Sequence, residues 1–372
     1  MNPNESSPTS SSGNDIEIEH LLKELVKREG SDLHIKEGQP PIFRIHGKLK
    51  RSEFSPLTFD GIKSIVSHLT NDDQKERLLE AKELDTSYSV PGVARFRVNI
   101  FFQNNKLGVV LRTIPFEIKT IEQLGLPEAT RTFCELNRGL VLVTGPTGSG
   151  KSTSLASMID HINATRNLHI ITIEDPIEFL HNDKVSAINQ RELGSDTNSF
   201  TEALRHVMRQ NPDVILVGEL RDLETISLAL EAAETGYLVF ATLHTTDSAQ
   251  TIDRIVDVFS PEEQPQIRMQ LANSLKGVVS QTLLPKITGG RVAAFEVLNC
   301  HSGVRNLIRE GKTHQIYNLI QTGSKDGMQL LDQHLKEIVN EGIVTFDEAI
   351  AKASNPGEFE KTANGNIAGS GM

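Results

Sequence analysis

The pattern of apolar and polar positions predicts a small mixed domain in the first third of the chain. Apolar residues recur at helical spacing from Ile18 to Val26 and the run stops at Gly30, which predicts an amphipathic helix. Short alternating segments bounded by Gly, Pro and Asn follow, with a second helix near residues 58–69. These segments are SDLHIKEG, PPIFRIHGKL, DTSYSV and ARFRVNIFFQNNKLGVVLRTI. We therefore expect an α+β domain over residues 15–115.

A different pattern begins after a connecting stretch at residues 116–137. The apolar segments LVLVT, HIITI, DVILVG and LVFATL are separated by helical spans. This alternation predicts a parallel sheet that is covered on both faces. From residue 262 the pattern becomes helical, in EEQPQIRMQLANSLKGVVSQTLL, SGVRNLIREG, GMQLLDQHLKEIVNEG and TFDEAIAKAS. The sequence thus predicts an α/β domain with C-terminal helices over residues 138–356.

The two ends of the chain have a different composition from the rest. Residues 1–14 are mostly Ser, Asn, Pro and Thr, and residues 357–372 end in the Gly-rich and Asn-rich NGNIAGSGM. Segments of this kind bury too little apolar surface to offset the entropy lost on ordering. We expect both ends to be disordered tails.

Composition narrows the class of protein. The chain has 372 residues, more than one hydrophobic core usually serves, which agrees with two domains. Lys plus Arg number 38 and Asp plus Glu 49, and the net charge of -11 disfavours nucleic acid as a partner. Cys134 and Cys300 are too few for a disulfide framework or a four-cysteine zinc site. With no apolar stretch of roughly 20 residues and no signal-peptide pattern, we expect a cytoplasmic protein without direct membrane insertion.

The segment GPTGSGKS, residues 145–152, has the complete pattern of a phosphate-binding loop between a predicted strand and a predicted helix. Its glycines allow backbone N–H groups to approach phosphates, and the start of the next helix favours negative charge. Lys151 can reach the terminal phosphates, and Ser152 can bind Mg2+. The candidate nucleotide-binding residues are Gly145, Pro146, Thr147, Gly148, Ser149, Gly150, Lys151, Ser152 and Thr153.

Charged residues follow the other three predicted strands of this domain. The second strand leads into Glu174, Asp175 and Glu178, which are either a solvated acidic turn or a cluster around Mg2+ and a polarised water. The third ends at Glu219, an acid placed to position Mg2+ or the attacking water. The fourth ends at His244, which is either a structural residue or part of the site. The carboxyl ends of parallel strands share one edge, so we expect these groups to converge there.

Four motifs in order, GPTGSGKS, TIEDPIEF, DVILVGELRDLET and ETGYLVFATLHTTD, resemble the traffic ATPases of the secretion superfamily. In particular, they resemble the type IV pilus retraction (twitching motility) ATPases of the PilT kind, where they are called the Walker A loop, Asp box, Walker B strand and His box. The resemblance covers about residues 16–353 and includes SDLHI, GVARFRVNIF, VRNLIREGK and GMQLLDQHL.

The resemblance implies a PAS-like N-terminal domain joined to a RecA-like P-loop ATPase domain in a homohexameric ring. It implies that ATP and Mg2+ bind between the two domains, with Glu178 as general base and Glu219 in the Mg2+ shell. It also makes His244 a catalytic candidate and assigns Arg95, Arg97 and Arg112 to the γ-phosphate, where arginine stabilises developing charge. The alternative for Arg95 and Arg97 is an outward-facing charge on a strand, because they alternate with apolar residues.

Three details bear on the choice within the superfamily. Extension and secretion ATPases typically carry a four-cysteine zinc insertion, which two distant cysteines cannot form. The segment VRNLIRE resembles a motif of retraction ATPases, and its Val304, Leu307 and Ile308 also form the apolar stripe of an ordinary packed helix. Tyr237 occupies a position that is often histidine in the family, so a second His-box histidine is absent. A phenol does not change charge near neutral pH, so the position lacks a side chain that could be protonated there.

The leading hypothesis is a hexameric ATP-hydrolysing motor that powers pilus retraction. The resemblance implies that it docks on an inner-membrane pilus platform protein and lies peripherally at that membrane. One alternative is an accessory PilU-like paralogue that stacks on an active retraction ATPase. A pilus-extension or type II secretion ATPase is a further alternative, and the net charge argues against a nucleic-acid translocase on the same core.

Overall fold

The computed structural model describes residues 17–45, 47–114 and 117–367, with side chains described as far as residue 361. The chain divides into two compact units, Met1–Phe116 and Glu117–Met372. In the described part of the chain, no helix combines the length and apolarity needed to cross a membrane.

The first unit is built on an antiparallel sheet of six strands in the order β3-β2-β1-β6-β5-β4. Its elements are α1 (Ile18–Lys27), β1 (Gly30–Lys36), β2 (Ile42–Ile45), β3 (Lys48–Arg51), α2 (Phe59–Leu69), α3 (Asp72–Ala81), β4 (Glu83–Val90), β5 (Ala94–Gln103) and β6 (Lys106–Ile114). Buried side chains of all three helices join those of the strands in one hydrophobic cluster.

Local sequence signals explain where the helices of this unit begin. The side chain of Thr58 accepts a hydrogen bond from the Gly61 N–H, which caps the predicted second helix. The helix α3 was not predicted, although Asn71 and Gln74 form a complete capping box at its start. Leu78 is the one buried residue of α3, so its apolar pattern is too sparse to predict a helix.

The second unit contains a seven-stranded sheet in the order β13-β12-β7-β11-β10-β8-β9, in which only the β12–β13 pair is antiparallel. Its strands are β7 (Gly139–Thr144), β8 (His169–Glu174), β9 (Ala187–Glu192), β10 (Val214–Val217), β11 (Leu238–Leu243), β12 (Leu275–Pro285) and β13 (Arg291–Asn299).

Helices cover both faces of this sheet, as alternate residues of its strands belong to two separate hydrophobic clusters. The helices are α4 (Ile121–Leu124), α5 (Ala129–Cys134), α6 (Lys151–Thr165), α7 (Phe200–Val207), α8 (Leu223–Thr235), α9 (Ser248–Asp257), α10 (Gln264–Ser274), α11 (Ser302–Arg309), α12 (Ile316–Thr322), α13 (Leu331–Asn340), α14 (Phe346–Ile350) and α15 (Pro356–Ile367), with 3₁₀ turns at Thr313–Gln315 and Ser324–Asp326. The predicted α/β fold class, a small N-terminal domain before a RecA-like domain with C-terminal helices, is confirmed.

The predicted helix that starts at residue 262 is wrong beyond Ser274. There the chain passes directly from α10 into β12, which pairs in parallel with β7 and antiparallel with β13. Val278 and Val279 are β-branched and buried in the clusters on opposite faces of the sheet, an environment that favours extended backbone. Because no Gly or Pro separates the helix from the strand, the boundary left no turn signal in the sequence.

Of the stretch at residues 116–137 that was expected to connect the domains, residues 117–137 fold with the second unit and contain α4 and α5. The ring of Phe133 lies against Gly277 of β12 so closely that an added Cβ would be 2.1 Å from a ring carbon. At the other end, α15 extends into the expected tail because Phe359 is buried next to Phe346. The expected disorder of residues 1–14 and the last five residues lies outside the described part of the chain.

Replacement of Phe133 by alanine should destabilise the second unit by about 3 kcal/mol, because the lost ring leaves a cavity above β12. Thermal or urea unfolding of the purified protein measures this change. Phe59→Ala is the matched control, since that ring is 52% exposed. Equal stability of the two variants would contradict the role of Phe133 in fixing the segment.

Candidate functional site

The phosphate loop joins β7 to α6 and depends on glycine for its shape. Gly145 has a φ of 139°, and a Cβ there would lie 2.2 Å from the carbonyl oxygen of Gln281. Gly150, with a φ of 91°, is the N-cap of α6 and leaves the first N–H groups of that helix without a side-chain cap. Pro146 and Thr147 are exposed at the tip of the loop, while Ser152 and Thr153 are half-buried in the first turn of α6. This geometry leaves backbone N–H groups for an anion.

Lys151 folds back into the loop. Its Nζ donates hydrogen bonds to the carbonyl oxygens of Gly145 at 2.8 Å and Pro146 at 3.2 Å. Burial lowers the pKa of the Lys151 ammonium, while the carboxylates of Glu219 and Glu178 oppose this shift. Both acids, which were predicted from separate motifs, therefore act electrostatically on the loop lysine.

The neighbouring strand β12 holds the phosphate loop through side-chain hydrogen bonds. Gln281 of β12 donates from Nε2 to the carbonyl oxygen of Ser149 at 2.7 Å, and the hydroxyls of Thr144 and Ser280 are 2.8 Å apart. The Ser149 hydroxyl is buried and has no hydrogen-bond partner among the described residues. A buried, unpaired donor inside a glycine-rich loop fits a phosphate group as its partner. Sequence reasoning missed Gln281 because it lay in a segment predicted to be helical.

The acidic turn after β8 is structured. Glu174 accepts hydrogen bonds at Oε1 from Thr172 Oγ1 at 2.6 Å and from Gln190 Nε2 at 3.2 Å. Although part of the residue is accessible to solvent, burial raises the pKa of its carboxyl to about 7. Asp175 is 3.6 Å from an Arg221 nitrogen, and Glu178 is half-buried. The three acids therefore occupy different environments, which argues against a uniformly solvated turn.

Glu219 lies between two potential cations at the end of β10. Its carboxylate is 2.9 Å from Arg221 Nη2 and 3.0 Å from His244 Nε2. All three residues line an open cavity of about 450 Å³, together with Thr245, Thr246, Gln250 and Arg254. Sequence reasoning missed Arg221. The sequence feature that could have indicated it is its position two residues after Glu219 in GELRD. His244 thus belongs to the sheet edge that carries the acids.

The Tyr237 position is remote from this edge. Tyr237 precedes β11, whose opposite end carries His244, and six strand residues between them span roughly 20 Å. The Tyr237 hydroxyl donates to the carbonyl oxygen of Met208 at 3.1 Å. The missing histidine therefore does not remove a group from the edge where Lys151 and Glu219 meet.

The candidate arginines lie on the sheet of the first unit. Arg95 and Arg97 are half-buried and alternate along β5 with fully buried side chains. Arg97 is opposite Arg112 in the β5–β6 register, and Arg112 Nε donates to Asp32 Oδ1 at 2.9 Å. Burial alone would raise the pKa of Asp32, but hydrogen bonds from Ser31 and Arg112, together with the charges of Arg112 and Arg44, outweigh it and lower the pKa. Contact of these arginines with a nucleotide stays a prediction.

Two features used to choose within the superfamily are visible in the second unit. Val304 and Ile308 of α11 are buried and Leu307 packs against the same cluster, so the predicted apolar stripe is confirmed. Cys134 and Cys300 are both buried, in different hydrophobic clusters, and burial raises the pKa of each thiol to about 12. The thiols are therefore protonated at neutral pH and inert as ligands.

Comparison with known proteins decides the family. The family model described as Type II/IV secretion system protein matches residues 11–289. The chain belongs to this family. Members similar to it include the type IV pilus retraction ATPase PilT of Pseudomonas aeruginosa, at 52% identity over 92% of this chain and 100% of PilT. The type IV pilus ATPase PilU of the same organism is 40% identical over 92% of this chain and 90% of PilU.

A solved structure agrees with these sequence matches. A crystal structure of the pilus retraction motor PilT with bound ADP superposes with a TM-score of 0.87 and 46% identity, covering 93% of this chain and 99% of that one. The resemblance to PilT-like members of the secretion family, predicted from the four motifs, is confirmed.

Glu174→Gln should change how stability depends on pH. The pKa of Glu174 is raised from 4.5 to about 7, so between these values the folded protein binds more protons than the unfolded chain. Stability therefore falls as pH rises through this window, and a neutral glutamine removes that fall. We expect the variant to melt above the wild type at pH 8 and the difference to shrink towards pH 5.

Thermal melting of the nucleotide-free protein across this pH range is the measurement. Glu296 has the same raised pKa of about 7, so part of the slope should persist in the variant. Exposed Glu262 provides the control Glu262→Gln, which should follow the wild type. Parallel curves for Glu174→Gln and wild type would contradict the assigned shift.

Proposed function

We propose that this chain is the subunit of an ATP-hydrolysing motor that powers retraction of type IV pili. The observation that carries the proposal is the electrostatic convergence of Lys151, Glu178 and Glu219 in a chain that spans PilT at 52% identity. Further parts of the proposal are a homohexameric ring and docking on a pilus platform protein at the cytoplasmic face of the inner membrane. These rest on the resemblance to retraction ATPases.

The residues of the site divide the work of phosphoryl transfer. The loop N–H groups and the Lys151 ammonium bind and orient the terminal phosphates of ATP. Ser152 and Glu219 would hold Mg2+, which when bound neutralises charge that develops on the phosphates. Oxygen donors at the end of a strand beside a phosphate loop are the ligands Mg2+ prefers.

Glu178 is assigned as the general base that orients the attacking water and accepts its proton. A half-buried carboxylate that interacts with the loop lysine suits this task, whereas the Glu174 carboxyl is already engaged by hydrogen bonds from Thr172 and Gln190. His244 and Arg221 hold the Glu219 carboxylate from two sides, so its direction is fixed before the nucleotide binds. Arg95, Arg97 and Arg112 remain the proposed source of positive charge for the γ-phosphate.

Similarity to known proteins supports a primary retraction motor over the other members of the family. The identity to PilT, 52%, exceeds the identity to PilU, 40%, in the same organism. This difference favours a primary retraction motor over the accessory paralogue, which stays the second candidate because the PilU match also covers 92% of the chain. Two buried cysteines in separate clusters also favour retraction over extension and secretion ATPases.

Lys151→Ala and Glu178→Gln should each lower Mg2+-dependent ATP turnover by about 100-fold or more, because the first removes phosphate binding and the second removes the base. A phosphate-release assay on the purified protein measures this loss. Lys352→Ala and Glu262→Gln are matched controls at exposed positions and should retain turnover. Unchanged turnover in both site variants would overturn the proposed enzyme.

Deletion of the gene should give cells with excess pili and no surface motility, because pili are extended but not withdrawn. Electron microscopy of pilus number and a twitching assay provide the measurement. Complementation with the Lys151→Ala chain should fail, while the Lys352→Ala control should restore motility. Cells without pili would support an extension motor, and rescue by Lys151→Ala would support the accessory candidate.

A further inference from the structure

The proposed base, Glu178, lies in a segment without helix or strand. Residues 175–186 connect β8 to β9, the strand at the edge of the sheet. A catalytic group on such a loop needs support from rigid elements, since small displacements of the group reduce the rate steeply. The contacts of this loop therefore decide how well Glu178 can work.

Side chains of β9 hold the backbone on both sides of Glu178. The Ile177 N–H donates to Glu192 Oε2 at 3.0 Å, and Gln190 Nε2 donates to the Phe179 carbonyl oxygen at 2.9 Å. These are the residues immediately before and after Glu178. The His181 N–H donates to Gln190 Oε1 at 2.8 Å, which adds a third attachment.

The Gln190 amide uses both of its ends in this arrangement. Its nitrogen also donates to Glu174 Oε1 at 3.2 Å, and a hydrogen bond from the backbone of Glu178 reaches the same Glu174 carboxyl. An amide supplies an acceptor for an N–H and donors for two oxygens at once, and a carboxylate lacks these donors. This pattern of partners is specific to glutamine at position 190.

The loop is also packed against the phosphate site. Phe179 and His181 line a small cavity of about 40 Å³ that is bordered by Ser152 and Glu174. The His181 side chain is only 3% exposed. The attachments at β9 therefore fix the distance between Glu178 and the first turn of α6, where the phosphate loop ends.

We propose that Gln190, with Glu192, is a positioning residue that holds Glu178 in place for hydrolysis without touching the nucleotide. This inference rests on the proposed function, in which Glu178 is the base. Loss of the amide would leave the Phe179 carbonyl and the His181 N–H without their partners, and the loop would shift to satisfy them with water. Nucleotide binding, which depends on the phosphate loop, would be preserved.

Gln190→Met keeps the length of the side chain and removes all three of its hydrogen bonds. In the full-length protein it should lower kcat on the order of 10- to 100-fold, with KM for ATP and the affinity for a fluorescent ATP analogue within about twofold of wild type. The same replacement at Gln266, exposed on α10, is the control. In the Glu178→Gln background, Gln190→Met should change the remaining rate by less than about twofold, since both act on one step.

A kcat for Gln190→Met above half of wild type, an equal loss of nucleotide affinity, or multiplicative losses in the double variant would each overturn the inference. A second pair of variants tests the inference if Gln190→Met does not fold. Glu192→Gln keeps an acceptor for the Ile177 N–H and should retain kcat within about threefold. Glu192→Leu removes the acceptor and should lose most of kcat. Equal kcat values for Glu192→Gln and Glu192→Leu would also overturn the inference. If Glu178→Gln itself retains full turnover, the assigned base is wrong and the inference fails with it. If Glu178→Gln loses turnover while Gln190→Met retains it, only the inference about Gln190 is refuted.

Discussion

Parallel pairing of β7, β11, β10 and β8 is the constraint on which the site depends. These strands are buried, lie side by side in that order and end at one edge, so the segments after them are brought together although nearly 100 residues separate Lys151 from His244. The edge gathers acids that would repel one another in isolation. Lys151 and Arg221 supply the opposing charge, which makes the cluster of Glu178 and Glu219 tolerable in the folded chain.

The sequence pattern predicts the strands that carry these motifs because each is a short apolar run bounded by polar residues. It fails for β9, whose alternating AINQRE is half polar at the sheet edge, and for β12, which follows α10 without a turn. The tertiary environment, not local propensity, makes these segments extended: β12 is sandwiched between β7 and β13. The helix α3 was missed because it buries only Leu78, so its sequence has no apolar periodicity.

The same distinction applies to the site. Local motifs identify the site residues that follow a recognisable strand. These are Lys151, Ser152, Glu178, Glu219 and His244. The residues that support them come from elsewhere in the chain: Gln281 is 132 residues from Ser149, and Gln190 lies on a strand that was not predicted. Side-chain contacts over such separations depend on register, which a single sequence does not specify. Whether the arginines of the first unit complete the site stays a prediction.

The strand β12 also has a mechanical consequence. Gln281 binds the phosphate loop, and three residues later Leu284 lies in the cluster that packs α13, α14 and α15. About 10 Å of strand therefore separates the loop from the C-terminal helices. A close-packed cluster does not deform smoothly, so a displacement of the loop must either break its bond to Gln281 or be shared by those helices. The strand therefore couples the position of the glycine-rich loop mechanically to that of the C-terminal helices.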